Sequence, residues 1–365
     1  MPNLPINQSL KEIYFYLTDT CNLKCCHCWI EPSYQTQPSA ENVINTFVFR
    51  SILAHGKTLG LEGVKFTGGE PLLHPLINDF IDVCNSEQIF INIETNGILC
   101  NKNFAERIAN SHKIAISVSL DGATTNVHEK IRGVSNSFEL AIQGIKNLTN
   151  VNIKPQIIMT IMQHNINQVD ELVELAVELG ASSVAFNIVQ PVARGQKLHK
   201  AGLAVPIEKL ISLGSHIEND LSDVTPIPIY YGHPPAFRPL HKLYEFSSDG
   251  CSSCGIKNIL SVLPDGNYAV CGIGKSKAEF RLGNVISDEL GDVWQNSSVL
   301  HEIRSGLPNK LEGVCHSCIM QKMCLGKCVA QNYAQSSNLW KPFWYCQEAF
   351  EKGLFPKSRL LEFPS

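Results

Sequence analysis

The stretch "TDTCNLKCCHCWIEP" places four cysteines and a histidine in residues 21–28. Cys21, Cys25 and Cys28 have the spacing C-x3-C-x2-C. Three thiolates from one tight loop can hold three irons of a cubane cluster and leave the fourth iron without a protein ligand. A reactive metal centre needs such an open position, whereas structural sites are closed. A three- or four-thiolate zinc site would use the same residue types, although zinc more often takes paired C-x2-C units. Cys26 breaks the spacing and reads as a bystander.

A second group lies far along the chain. Cys251 and Cys254 form C-x2-C, Cys271 follows, and Cys315, Cys318, Cys324 and Cys328 form C-x2-C-x5-C-x3-C ahead of Cys346. Iron–sulfur clusters or a pair of zinc knuckles would both use this pattern. Of the fourteen cysteines only Cys84 and Cys100 stand apart, as small buried residues packing like apolar ones.

The rest of the composition narrows the setting. The chain has 365 residues and a formal net charge of -4, without a basic run, which gives no support for a nucleic acid or membrane partner. The first residues lack a basic segment followed by an apolar one, and no apolar run reaches about 18 residues, so a cytosolic protein is expected. In a reducing cytosol clustered cysteines argue for metal or redox chemistry, not disulfides.

The elements that must hold these residues read as alternating units. Six β-rich runs, "EIYFYLT", "GVKFTGG", "IFINIETNG", "KIAISVSLDG", "KPQIIMTIM" and "SVAFNIVQP", are separated by five stretches with helical apolar spacing. Repeated right-handed βα units give a parallel sheet, whose ligands bind at the C-terminal strand ends. The unusual polar clusters sit at those ends. Residues 201–245 are rich in Pro and Gly and read as a bridge carrying one helix. Beyond them, Asp265-Gly266 marks a hairpin, and the cysteine-rich remainder has little core and needs staples.

With the residues laid out, "CNLKCCHC" resembles the cluster loop of the radical S-adenosylmethionine (radical SAM) superfamily. The resemblance implies a [4Fe–4S] cluster on Cys21, Cys25 and Cys28, with the cofactor's methionine moiety chelating the open iron. It implies a partial (β/α)6 TIM-like barrel. "TGGEP" is similar to the family's segment for the methionine amino group, assigning Gly68, Gly69, Glu70 and Pro71. "ETNG" assigns Glu94 and Asn96 near the ribose. Ser119 and Arg132 are assigned to the cofactor carboxylate, a task that suits a guanidinium fork. His27 is placed beside the adenine. In isolation each of these residues has an ordinary reading, an exposed helix arginine for Arg132 and a strand-end turn for Asn96.

The later cysteines resemble the SPASM extension of the same superfamily. That likeness implies auxiliary cluster I on Cys251, Cys254, Cys271 and Cys328, and auxiliary cluster II on Cys315, Cys318, Cys324 and Cys346. The total is three [4Fe–4S] clusters and one S-adenosylmethionine, with the two fully ligated auxiliary clusters relaying electrons. The expected division is 1–200 for the barrel, 201–245 for the bridge, 246–350 for the SPASM region and 351–365 for a tail. The family association points to a maturase for a ribosomally made peptide, installing a cross-link, epimerisation or oxidation. A superfamily oxidase of a small molecule such as a tetrapyrrole side chain, and a non-catalytic scaffold, are the rivals.

Sulfatase maturases resembling this chain have an acid after the cysteine of the G-x4-C segment; here Gly272 follows Cys271, so that activity is not expected. With the first strand near residue 12, no N-terminal peptide-recognition domain is expected. The peptide would dock at the barrel mouth, on 201–245 or through a separate recognition protein, and an external donor such as flavodoxin or ferredoxin would supply electrons. No catalytic base is identified. His233, His241, Tyr230 and Tyr231 could face the mouth, although packing or surface roles are the better reading of each; Arg194 could meet a substrate carboxylate, although an ordinary loop arginine is the safer reading.

Overall fold

The computed structural model describes residues 8–37, 44–111, 113–245 and 254–361; Cys251, an expected ligand, lies outside the described residues. The six expected strands form as β1 (Glu12–Tyr16), β2 (Gly63–Thr67), β3 (Phe90–Thr95), β4 (Ile114–Ser119), β5 (Gln156–Ile161) and β6 (Ser183–Ile188). They pair in parallel in that order. The alternation in each strand sets two faces. Ile13, Phe15, Val64, Phe66, Ile91 and Ile93 are fully buried beneath the helices. Between them, Tyr14, Lys65, Asn92 and Glu94 face the other way and are only half-buried. The sheet therefore presents an oily back and a polar concave front.

The helices follow the expected segments: α1 (Thr46–Thr58), α2 (Ile77–Ser86), α3 (Lys102–Ile108), α5 (Ser137–Thr149) and α6 (Val169–Glu178), with one addition, α4 (Thr125–Arg132). Asn45 caps α1 by accepting the Val48 N–H at 3.0 Å. Phe49 of α1 and Phe80 of α2 stack at 4.4 Å, with Phe15 and Phe66 beside them, and this knot seats both helices on β1 and β2. Truncating Phe66 to Ala would cost about 3–5 kcal/mol. The sequence "TNVHEKIR" of α4 is mostly polar; it buries His128, Ile131 and Arg132, with Val127 packed beside Ile131. It stops at Gly133, whose φ of 71° is a left-handed conformation that favours glycine.

The sheet does not end with the barrel. The bridge supplies α7 (Ala193–Lys200), α8 (Ile207–His216), which continues into a π turn at Ile217–Leu221, and β7 (Ile229–Tyr231), parallel to β6. At the opposite edge β8 (Ile259–Val262) joins β1 in parallel and continues into antiparallel β9 (Asn267–Ala269) and β10 (Arg281–Asn284). The ten strands run in the order β10-β9-β8-β1-β2-β3-β4-β5-β6-β7. No helix of the described residues is long and apolar enough to cross a membrane.

Candidate metal and cofactor site

The loop after β1 carries Cys21, Cys25 and Cys28. Cys21 and Cys25 are buried with Leu23, and Cys28, Ile98 and Val134 pack against them. Burial pushes the Cys21 thiol up to about 12 and that of Cys25 to about 11, the latter held back by Arg132. Such thiols keep their protons at neutral pH until a metal displaces them. Among the described residues no three His, Cys, Asp or Glu side chains already converge on a single point.

Several elements hold this loop in place. The α4 terminus accepts two of its amides, Lys24 N–H on the Arg132 carbonyl at 2.9 Å and Cys26 N–H on the Ile131 carbonyl at 3.0 Å. From the start of α7, Arg194 donates to the carbonyls of Cys25 at 3.1 Å and Pro32 at 3.3 Å. Arg194 is thus a clamp on the loop. Lys275, four residues beyond Cys271, donates to the Ile30 carbonyl at 2.8 Å and pairs with Asp19.

The turn after β2 fits under the same loop. Gly69 N–H donates to the Thr18 carbonyl at 2.9 Å and Glu70 N–H to that of Thr20 at 2.8 Å. A Cβ on Gly69 would lie 1.9 Å from the Thr20 carbonyl oxygen, so only glycine permits this approach. The buried Glu70 carboxylate accepts from Thr95 Oγ1 at 2.6 Å, Leu72 N–H at 3.1 Å and Asn96 N–H at 2.9 Å. Burial raises its pKa against these donors. Glu70 therefore ties the ends of β2 and β3 together, and Pro71 starts the short 3-10 turn that follows. Asn96 donates to Asn22 Oδ1 at 2.7 Å, inside the loop. Glu94 points into the concave front, where Lys65 binds it at 2.9 Å and Thr67 at 3.3 Å. Ser119 closes β4, half-buried.

Arg132 is buried, contrary to the exposed arginine its helix alone would suggest. Its Nε lies 2.8 Å from Asp121 Oδ2 and its Nη1 3.6 Å from Cys25 Sγ. His27 Nε2 lies 3.5 Å from the same Asp121 oxygen. Burial works against the Asp121 charge, but Arg132, and then His27, hold its pKa below the ordinary value. Asp121 is the residue sequence reasoning passed over, although "SVSLDG" ends at the strand terminus where ligands are expected.

The other candidates lie elsewhere. His233 is buried against Glu218 at 2.8 Å, and the Tyr231 hydroxyl donates to the Leu210 carbonyl of α8 at 2.9 Å. Both face away from the mouth. His241 is exposed, and Tyr230 is half-buried on the front-facing side of β7, in register with Ala185.

The later cysteines separate into two groups. Burial raises the Cys271 thiol first, followed by the influence of Cys328 and Cys254. Cys346 is raised by burial and then by Cys315, Cys324 and Cys318. The second group lines a partly open, apolar pocket with Pro234, Leu311, Met320 and Phe355. Met320 N–H donates to Cys318 Sγ at 3.4 Å, the kind of contact that supports cluster sulfurs. The residues present fit the groups the fold implies. Gly272 sits where a Cβ would be 2.6 Å from Tyr16 Oη and 2.8 Å from Trp29. Its N–H donates to that Tyr16 hydroxyl at 3.1 Å.

Comparison with known proteins agrees with this arrangement. Residues 15–176 match the family model of the radical SAM superfamily, and residues 242–319 match SPASM, an iron–sulfur cluster-binding domain. The antilisterial bacteriocin subtilosin biosynthesis protein AlbA of Bacillus subtilis is 27% identical over 79% of this chain, which spans 60% of AlbA. The AdoMet-dependent heme synthase of Methanosarcina barkeri is 25% identical, covering 92% of this chain and 95% of its own length. Mycofactocin maturase MftC of Mycobacterium tuberculosis is 26% identical over 95% of this chain and 85% of MftC. Among solved structures, Streptococcus suis SuiB bound to S-adenosylmethionine superposes with a TM-score of 0.74 at 21% identity, over 93% of this chain and 78% of SuiB. That likeness is one of fold.

Proposed function

The chain belongs to the radical SAM superfamily and carries a SPASM extension, and from that premise we propose that it cleaves S-adenosylmethionine and abstracts hydrogen from a ribosomally made peptide. The single observation that supports the cleavage is the niche of three thiols at the barrel mouth, with the Gly69 turn on one side and the buried Arg132 on the other. When bound, the cluster and S-adenosylmethionine supply the electron and the 5'-deoxyadenosyl radical that takes the hydrogen atom. The residues present do the positioning. Cys21, Cys25 and Cys28 hold the cluster, the Gly68–Gly69 backbone and Glu70 shape the amino-group site, and Ser119 and Arg132 receive the carboxylate. Asn96 and Glu94 lie toward the ribose and His27 toward the adenine.

Cys254, Cys271 and Cys328, with Cys251, hold one auxiliary cluster, and Cys315, Cys318, Cys324 and Cys346 hold the other. Clusters held there would supply a route for an electron leaving the oxidised product. A flavodoxin or ferredoxin in the cytosol supplies the initiating electron. The alignments with AlbA and MftC support a peptide as substrate. The alignment with the heme synthase over nearly its whole length supports a second reading, oxidation of a small molecule such as a tetrapyrrole side chain.

Anaerobic protein, reduced and given S-adenosylmethionine, should form 5'-deoxyadenosine. A precursor peptide encoded beside this gene should then lose hydrogen or isomerise, as read by mass spectrometry and chiral analysis. An unaltered peptide with modification of a tetrapyrrole would favour the second reading, and absence of 5'-deoxyadenosine would overturn both.

A further inference from the structure

The Asp121 side chain is fully buried, so its charge must be compensated by protein partners. Its placement is over-determined. Oδ1 accepts the Thr160 N–H of β5 at 2.8 Å, its carbonyl accepts from Asn165 Nδ2 at 3.0 Å, and its own N–H donates to His128 Nδ1 of α4 at 3.2 Å. Strand ends β4 and β5 and helix α4 therefore fix the carboxylate before any ligand arrives.

The other oxygen, Oδ2, meets Arg132 Nε at 2.8 Å and His27 Nε2 at 3.5 Å. The Arg132 Nε–H does not aim squarely at Oδ2, and both atoms lack a well-directed hydrogen bond. The contact is therefore a charge pairing that sets where the guanidinium lies, while Nη1 turns to Cys25 Sγ at 3.6 Å. A guanidinium has five donors in a rigid plane, so holding it by Nε and Nη1 leaves its remaining edge for a ligand carboxylate.

We propose that Asp121 is a positioning residue, which holds Arg132 between Cys25 and the cofactor carboxylate so that one buried acid governs both cofactor affinity and the cluster's surroundings. This inference rests on the radical SAM reading of the loop. Without Asp121 the guanidinium loses its paired carboxylate, and its fork loses the orientation that a bidentate carboxylate contact needs.

The experiment is a double-mutant cycle on the reconstituted full chain, using Asp121→Asn, Arg132→Lys and the pair. Asparagine keeps an acceptor for the Thr160 N–H and removes the charge; lysine keeps the charge and removes the fork. S-adenosylmethionine is titrated into the reduced protein, and binding is read from the electron paramagnetic resonance signal of the N-terminal cluster. Auxiliary-cluster signals report that each variant has folded. Each single variant should bind S-adenosylmethionine at least tenfold more weakly, and the double variant should be no worse than the weaker single one. The cofactor-free signal of the N-terminal cluster should also change in both singles, because the contact at Cys25 is lost in each. Losses that multiply in the double variant would assign Asp121 a separate, structural role and overturn the proposal. So would Asp121→Asn with unchanged affinity and signal. Should Asp121→Asn fail to assemble, an Arg132→Lys variant with wild-type affinity and signal would overturn it equally. A wild-type signal that does not respond to S-adenosylmethionine would instead overturn the radical SAM reading, and the proposal with it.

Discussion

The two cysteine neighbourhoods solve opposite problems. The loop after β1 is gripped by charged and polar groups from α4, α7 and the residues beyond Cys271, and its thiols lie at the barrel mouth. The Cys315, Cys318, Cys324 and Cys346 group lines a cavity shared with Leu311, Met320 and Phe355. Under the reading proposed above, polar clamps would leave one face of a metal group approachable, whereas an apolar lining supplied with four thiols would cap it, so reactivity would belong to the first region and containment to the second.

The strongest way to break that contrast is Cys25→Ala. It should abolish 5'-deoxyadenosine formation while iron content falls by only about one cluster's worth, about four irons. Loss of all iron would mean that the regions do not load independently. Cys346→Ala is the reciprocal test. It should remove one auxiliary signal and destabilise the C-terminal region, yet leave the response of the N-terminal cluster to S-adenosylmethionine intact.

Gly69→Ala sharpens the picture of the polar clamp. Its Cβ would be forced to 1.9 Å from the Thr20 oxygen, so the turn must shift, at a cost of about 1–3 kcal/mol. Thermal unfolding should show that loss together with weakened cofactor binding; unchanged binding would separate the turn from the cofactor. The smallest effect concerns His216 on α8. Its hydrogen bond to Asp170, at 3.0 Å, raises the imidazole above its ordinary pKa. A raised value gives stability that is complete below the unfolded pKa of about 6.5 and fades as pH climbs through the folded value. His216→Gln should therefore lose under about 1 kcal/mol after solvent screening, and only on the acid side. Equal losses on both sides would point to packing instead.

Much of this was legible in the sequence. The six barrel strands announce themselves as short β-rich runs with turn residues after them, because every second side chain must be apolar to seat the helices on the back of the sheet. The cysteines announce themselves by spacing, because a tight loop fixes which thiols can point the same way. What stayed hidden depends on partners far away in the chain. Asp121 is a lone acid until folding brings Arg132 and His27 to it. Arg194 looks like any loop arginine until the backbone of Cys25 lies under it. Helix α4 is short and mostly polar, so its one apolar pair, Val127 and Ile131, gives only a faint signal beside the buried His128 and Arg132. The pairing of β8 with β1 joins residues about 250 positions apart, which no local pattern encodes.

That last pairing has a consequence for anyone who would cut the chain. Each residue of β8, Ile259 to Val262, is buried, and β8 covers the outer edge of β1. Ending the polypeptide before it would leave β1, the strand that launches the cysteine loop, as a bare rim with unsatisfied amides and carbonyls. Such a fragment should associate edge to edge before it could bind iron, so the barrel is expected to need its C-terminal partner as a lid on its seam, independent of any electrons that partner carries.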